Sequence, residues 1–225
     1  MQTTFARLLL KHAAERPQDA AMREKEYGIW QALTWAELAK MVEHLACGLH
    51  AAGLKRDDHM VVVGANRPRL YATMLAVQAL GAVPIPLYQD AAALECIFPI
   101  NNADVCFAFA EDQEQVDKLL EVREQCPQLT NIYFDDPRGL RKYDEPGLAS
   151  LETLLEAGKA FAAAHPAFFK TEVEKAKPTD VAAMFFIFFI TGNPKGVVHT
   201  HNSLLNAAES GAKFDKLTSA EEVLA

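Results

Sequence analysis

The chain has no run of ~20 apolar residues, the length a helix needs to cross a bilayer, and its longest apolar stretch, Val181 to Ile190, is ten residues. It has no surplus of positive charge: 22 Lys and Arg stand against 30 Asp and Glu, for a net charge of −8. That balance argues against nucleic acid or an anionic membrane surface as the main partner. Its four cysteines (Cys47, Cys96, Cys106 and Cys126) form no Cys-x-x-Cys pair, which favours reduced, structural thiols over disulfides or zinc and points to the cytoplasm. The first residues show no basic stretch, apolar core and small-residue cleavage site in succession, so no signal peptide is expected. Internal repeats and low-complexity tracts are also missing.

Half of the 225 residues are hydrophobic, enough for one large domain or two small ones. Thr4 to Glu15 reads as a helix stopped by Arg16-Pro17. Short strands are expected around 20–23 and 29–33. Thr34-Trp-Ala-Glu37 has the spacing of a capping box, and opens a helix to about Ala52 closed by Gly53. Its apolar face is Leu38, Met41, Leu45 and Leu49.

Beyond it, strands near 59–64, 82–87, 105–110 and 130–134 alternate with helices near 68–80, 91–101 and 113–125. Such alternation implies βαβ units, hence an α/β fold with a mostly parallel, helix-covered sheet. Residues 135–147 read as a loop and 148–164 as a helix. Pro166–Pro178 reads as a connector rich in Lys and Glu. It divides an α/β lobe, 1–177, from the start of a second lobe, 178–225, and the chain stops at 221–225 inside an expected helix.

Chemistry concentrates in that second lobe. The run Val181–Ile190 reads as a buried strand feeding Thr191-Gly192-Asn193-Pro194-Lys195-Gly196, then Val197-Val-His-Thr-His201. Gly192 and Gly196 permit close backbone approach, Asn193-Pro194 sets a turn, and Lys195 supplies positive charge. Such a loop suits a phosphate, although the spacing is not that of a Walker A loop. A plain turn with a solvated lysine is the competing account. His199 and His201 alternate along the expected strand and would share one face, a geometry that also suits a metal, but no third ligand is spaced to join them. Asn66 and Tyr88 sit at turns after strands, positions suited to a site; turn chemistry alone accounts for Asn66, and Tyr88 reads equally as an interior tyrosine that needs one hydrogen-bond partner. Asp135-Asp136 reads as a solvated pair before Pro137 rather than a Mg²⁺ site.

Thr191 to His201 resembles the second half of the phosphate-loop signature of adenylate-forming, or AMP-binding, enzymes. Gly64-Ala-Asn66-Arg-Pro68 and Leu80-Gly-Ala-Val-Pro-Ile-Pro-Leu-Tyr88 resemble the early segment of long-chain fatty acyl-CoA synthetases. The resemblance implies the N-terminal portion of such a fold, with fatty acid, ATP with Mg²⁺, and CoA as substrates. It implies a phosphate role for residues 191–196 and an acyl-adenylate pocket role for His201. It implies a cytoplasmic enzyme, with peripheral contact at the inner membrane left open; a membrane-associated hairpin built on 181–190 is disfavoured by the shortness of the run. The departure is at 187–190. Where the family has Thr-Ser-Gly-Thr, this chain has Ile-Phe-Phe-Ile, which offers no side-chain donors and resists positive φ. A damaged nucleotide loop and a fragment without the complete site are therefore expected. The alternative is a degenerate or truncated paralogue serving at most as a binding module.

Overall fold

The structure is a computed structural model that describes residues 2–187, 194–218 and 221–223. Helix α1 (Phe5–Glu15) starts at Thr4, whose Oγ1 accepts from the Arg7 N–H at 3.3 Å. Strands β1 (Ala20–Glu26) and β2 (Ile29–Thr34) form an antiparallel hairpin turned by Tyr27-Gly28, both at positive φ, a pairing that matches strand twist. The expected capping box is present. Thr34 N–H donates to Glu37 Oε2 at 2.8 Å, Glu37 N–H returns to Thr34 Oγ1 at 3.3 Å, and α2 (Trp35–Ala51) follows.

The main sheet is built from β3 (His59–Val63), β4 (Val83–Leu87), β5 (Phe107–Ala110), β6 (Asn131–Phe134) and β7 (Leu148–Ser150). All its pairs are parallel, in the order β4-β3-β5-β6-β7. Helices α3 (Pro68–Ala79), α4 (Ala93–Asn102), α5 (Gln113–Val122) and α6 (Leu151–Ala164) supply the crossovers and cover. Along β3 the faces alternate: Met60 and Val62 enter the core shared with α2, α3 and α6, whereas Val61 and Val63 enter the one shared with α4 and α5. A strand buried on both faces needs apolar residues at every position, which His59-Met-Val-Val-Val63 nearly supplies.

Helices α2 and α6 touch at two glycines. A Cβ on Gly158 would lie 1.7 Å from the His44 carbonyl oxygen, and one on Gly48 would lie 2.3 Å from that of Leu154. Larger side chains would push the helices apart.

The fold departs from the sequence expectations in several places. Residues 148–150 are not helical: they form β7, and the helix starts at Leu151, capped by Ser150. A three-residue edge strand leaves almost no periodic signal. The stretch 166–178 is not an extended connector, for it contains α7 (Phe168–Lys175). Phe169 and Val173, four residues apart, are 5% and 1% exposed and pack into the same core as α2. Tyr88 is no interior tyrosine, being 74% exposed. Residues 221–223 are irregular rather than helical, and Glu222 pairs with Arg23 at 2.9 Å.

Candidate functional site

Strand β8 (Val181–Ile187) pairs antiparallel with β9 (Lys195–Thr200), in a register that runs from Val181↔Thr200 to Ile187↔Lys195 with a shift of one residue between Val181 and Ala183. The expected strand is therefore real but belongs to a two-stranded antiparallel hairpin, not to the parallel sheet. It runs beside β4, with no ladder between the two among the described residues. Ala182 and Ala183 are buried at its start. Phe186 is 5% exposed and meets Phe98 edge-on at 6.2 Å between ring centres.

Ile187 ends the described part of the strand, 46% exposed. Phe188, Phe189 and Ile190, and the expected phosphate-site residues Thr191, Gly192 and Asn193, lie outside the described residues. Beyond them Pro194 is half-buried, and Lys195 and Gly196 open β9 with their side-chain positions exposed. Gly196 sits opposite Phe186; a Cβ there would come within 3.2 Å of Met184 Sδ.

The two histidines do not share a strand face. β9 ends at Thr200, whose Oγ1 accepts from Ser203 N–H at 3.2 Å and so starts α8 (His201–Phe214). His199 stays on β9, edge-on to Phe185 at 5.6 Å. His201 is the first helical residue and 2% exposed. Its Nδ1 accepts from the Phe5 N–H at 3.4 Å, and its ring lies 5.6 Å from that of Phe5.

Burial pushes the imidazole down to about 4, against a smaller raising effect from Asp180, so the ring is neutral and carries its proton on Nε2. His201 thereby serves one of the uncapped donors at the start of α1. Six residues of extended chain separate it from Lys195, roughly 20 Å. The hairpin thus has a lysine at its loop end and a buried histidine at its base. The structure does not bring the two together.

Residues that sequence reasoning passed over lie nearby. Gln78, in the last turn of α3, is 5% exposed and donates through Nε2 to the Ala182 carbonyl at 2.7 Å. An isolated glutamine within Leu75-Ala-Val-Gln-Ala-Leu80 was the available signal, because a buried carboxamide must find partners.

A second group sits at the carboxyl ends of the parallel strands. In this strand order the connections reverse direction between β3 and β5, and such crevices commonly hold ligands. Here the Glu111 carboxylate lies at the ends of the two strands, accepting from the Ala65 N–H and from Arg67 Nε at 2.9 Å. Arg69 bridges Asp135, at 3.0 Å, and Glu152. Asp135 is thus not the solvated residue expected. Burial lifts its carboxyl to about 6 despite the opposing Arg69 charge, with Glu152 and Glu111 adding to the rise.

An open depression of ≈ 400 Å³ at the hairpin's base is lined by Arg56, Asp57, Lys175, Lys177 and Asp180 among others. Arg56 and Lys175 are both engaged by Glu172 there. The four thiols are raised by burial, those of Cys47 and Cys96 to about 11, which suits inert structural cysteines. No group of three or more His, Cys, Asp or Glu could hold a metal among the described residues.

The sequence model of the AMP-binding enzyme family matches residues 9–225. The chain belongs to that family. Among curated relatives of this AMP-binding chain, the long-chain-fatty-acid–CoA ligase FadD15 of Mycobacterium bovis is 25% identical over 209 residues, 93% of this chain but 33% of the relative. Long chain acyl-CoA synthetase 3 of Arabidopsis thaliana is 26% identical over 197 residues, 84% of this chain and 28% of the relative. This AMP-binding chain thus spans about a third of the length of the relatives it matches.

Among solved structures, the inhibitor-bound N-terminal domain of FACL13 from Mycobacterium tuberculosis superposes with a TM-score of 0.71 at 21% identity, over 94% of this chain and 48% of that one. The acetoacetyl-CoA synthetase of Streptomyces lividans gives 0.72 at 21% identity, over 91% and 31%. At such identities the likeness establishes a shared fold. No described helix is long and apolar enough to cross a membrane.

Proposed function

We propose that this chain is the N-terminal, phosphate-engaging portion of an ATP-dependent long-chain fatty acid–CoA ligase. In the complete reaction a fatty carboxylate attacks the α-phosphate of ATP, giving acyl-adenylate and pyrophosphate. The CoA thiol then displaces AMP to form the thioester. The observation that carries this reading is the β8–β9 hairpin, which sets Lys195 and Gly196, exposed, directly after the turn whose sequence matches the family signature. Thr191 to Gly196 would hold the triphosphate, with Lys195 neutralising charge as carboxylate and phosphate approach. Mg²⁺ enters as part of the ATP complex, and no described residue is assigned to it. The acyl-adenylate role implied for His201 has less support than a structural one, given the burial of its ring against Phe5. Residues 1–177 would form one lobe and 178–225 the start of the next, which the lack of a ladder between β4 and β8 among the described residues supports. The acidic surface and buried thiols suit the cytoplasm.

By itself the chain is expected not to complete adenylation. Ile187 stands where the family carries a hydroxyl, and the relatives are about three times as long. ATP–pyrophosphate exchange with palmitate checks this: no exchange above background is expected, and clear turnover overturns the inactivity. The second reading, a non-catalytic paralogue acting as a binding module, is favoured by the same Ile187. It predicts no affinity for ATP or tripolyphosphate at all.

A further inference from the structure

No ladder joins β8 to β4 among the described residues, so backbone pairing does not set how the hairpin tilts or slides against the parallel sheet. Phe186 packs against Phe98, but apolar contact is non-directional and tolerates small shifts. Directional ties occur at the hairpin's base. Gln78 Nε2 donates to the Ala182 carbonyl at 2.7 Å, both residues being buried, and on the adjoining helix His201 Nδ1 accepts from Phe5 N–H at 3.4 Å. Gln78 selects one register of β8. Ala182 sits where the register with β9 shifts by a residue, so the tie marks a single point on the strand, and a slip of one residue would carry Phe186 off the core face.

We propose that Gln78 and His201 form a two-point clamp at the base of the hairpin, making Gln78 a positioning residue for Lys195. This rests on the reading of Lys195 as a phosphate ligand. From Ala182 to Ile187 the strand runs about 17 Å, so a tilt of about 10° at the base displaces the loop end by about 3 Å. A displacement of that size takes an ammonium out of ion-pair reach of a phosphate, and reactions are sensitive to errors of about 1 Å. The clamp is also chemically selective. It needs a donor on α3 and a neutral acceptor on α8, and burial of the His201 ring keeps it in the accepting form.

Hydrogen exchange of the full chain, resolved by peptide, tests the clamp, and calorimetric titration with tripolyphosphate tests its consequence. Gln78→Leu should speed exchange in 182–187 and 195–200 about five- to tenfold, the equivalent of one hydrogen bond worth about 1 kcal/mol. Exchange in β3 and β5 should not change. Tripolyphosphate affinity should fall about tenfold. His201→Phe should behave likewise, whereas His201→Gln, which keeps an acceptor, should stay near wild type. Gln78→Met provides the same loss of donor should the leucine variant fold poorly. Hairpin exchange at the wild-type rate in Gln78→Leu and His201→Phe, or equal acceleration in β3 and β5, overturns the clamp. Failure of the wild-type chain to take up tripolyphosphate instead ends the phosphate reading of Lys195, while the exchange result still decides the clamp.

Discussion

Strands β3 and β8 are both short apolar runs, and the molecule uses them in opposite ways. β3 has a parallel neighbour on each side and helices over each face, so Met60 to Val63 are all buried. β8 has a single ladder partner among the described residues, and only Ala182, Ala183 and Phe186 along it are buried, with Ile187 exposed. Identical chemistry yields a rigid interior element in one place and a tethered lever in the other. The difference lies in how many partners satisfy the backbone and where the remaining polar groups attach. At the place where such parallel sheets commonly take ligands, Glu111 is already engaged by Ala65 and Arg67. The loop end of the hairpin carries the exposed lysine.

This contrast can be broken most forcefully at the α2–α6 crossing. Gly158→Leu places atoms where the His44 carbonyl already lies, so urea unfolding should show a loss of about 3 kcal/mol or more, with the sheet and hairpin lost together. A small loss confined to the hairpin would contradict the division drawn here.

The ionisable groups give effects of comparable size that depend on pH. The folded chain holds the Asp135 proton more tightly than the unfolded chain does. The stability this gives is full below the ordinary value of 3.8 and is lost as pH rises through about 6. Relative to wild type, Asp135→Asn should therefore gain up to about 3 kcal/mol between pH 4 and pH 7, measured by denaturant unfolding at each pH. A constant difference would mean that Arg69 fully offsets the burial.

His201 runs in the opposite sense. Its folded value is depressed to about 4 from 6.5, so its contribution is present above 6.5 and is lost as pH falls through about 4. His201→Gln should flatten the acid limb of the stability curve by up to about 3 kcal/mol, and an unchanged acid limb would show that the ring titrates normally.

The smallest effect on stability is expected at the loop end. Lys195→Met should change unfolding free energy by less than about 0.5 kcal/mol while weakening tripolyphosphate binding about tenfold. Loss of both together would assign Lys195 to the scaffold instead.

Much of this was legible before any coordinates. Thr34 and Glu37 specify their capping box through local spacing alone, and the βαβ rhythm from His59 to Phe134 follows from periods of two and 3.6 residues. The strand after the loop is legible, but its start is not: Lys195 and Gly196 read as turn residues and instead pair with Ile187 and Phe186 in β9. Legibility failed where the signal was too short or depended on distant partners. β7 is three residues long. α7 hides Phe169 and Val173 among lysines and glutamates. From sequence His201 reads as a strand residue, because the helix cap at Thr200 shows only in the Ser203 N–H that donates to it.

The order of residues alone determined the α/β class, the capped helices and the phosphate-loop signature near the carboxyl end, because each rests on contacts within a few residues. Tertiary packing alone decided that Glu111 accepts from the Ala65 N–H across the strand ends, that Gln78 grips a carbonyl 104 residues away, and that His201 serves the start of α1. Those outcomes depend on which buried polar groups meet across the fold, and a buried donor or acceptor is satisfied by whatever the packing brings to it, not by its neighbours in the chain.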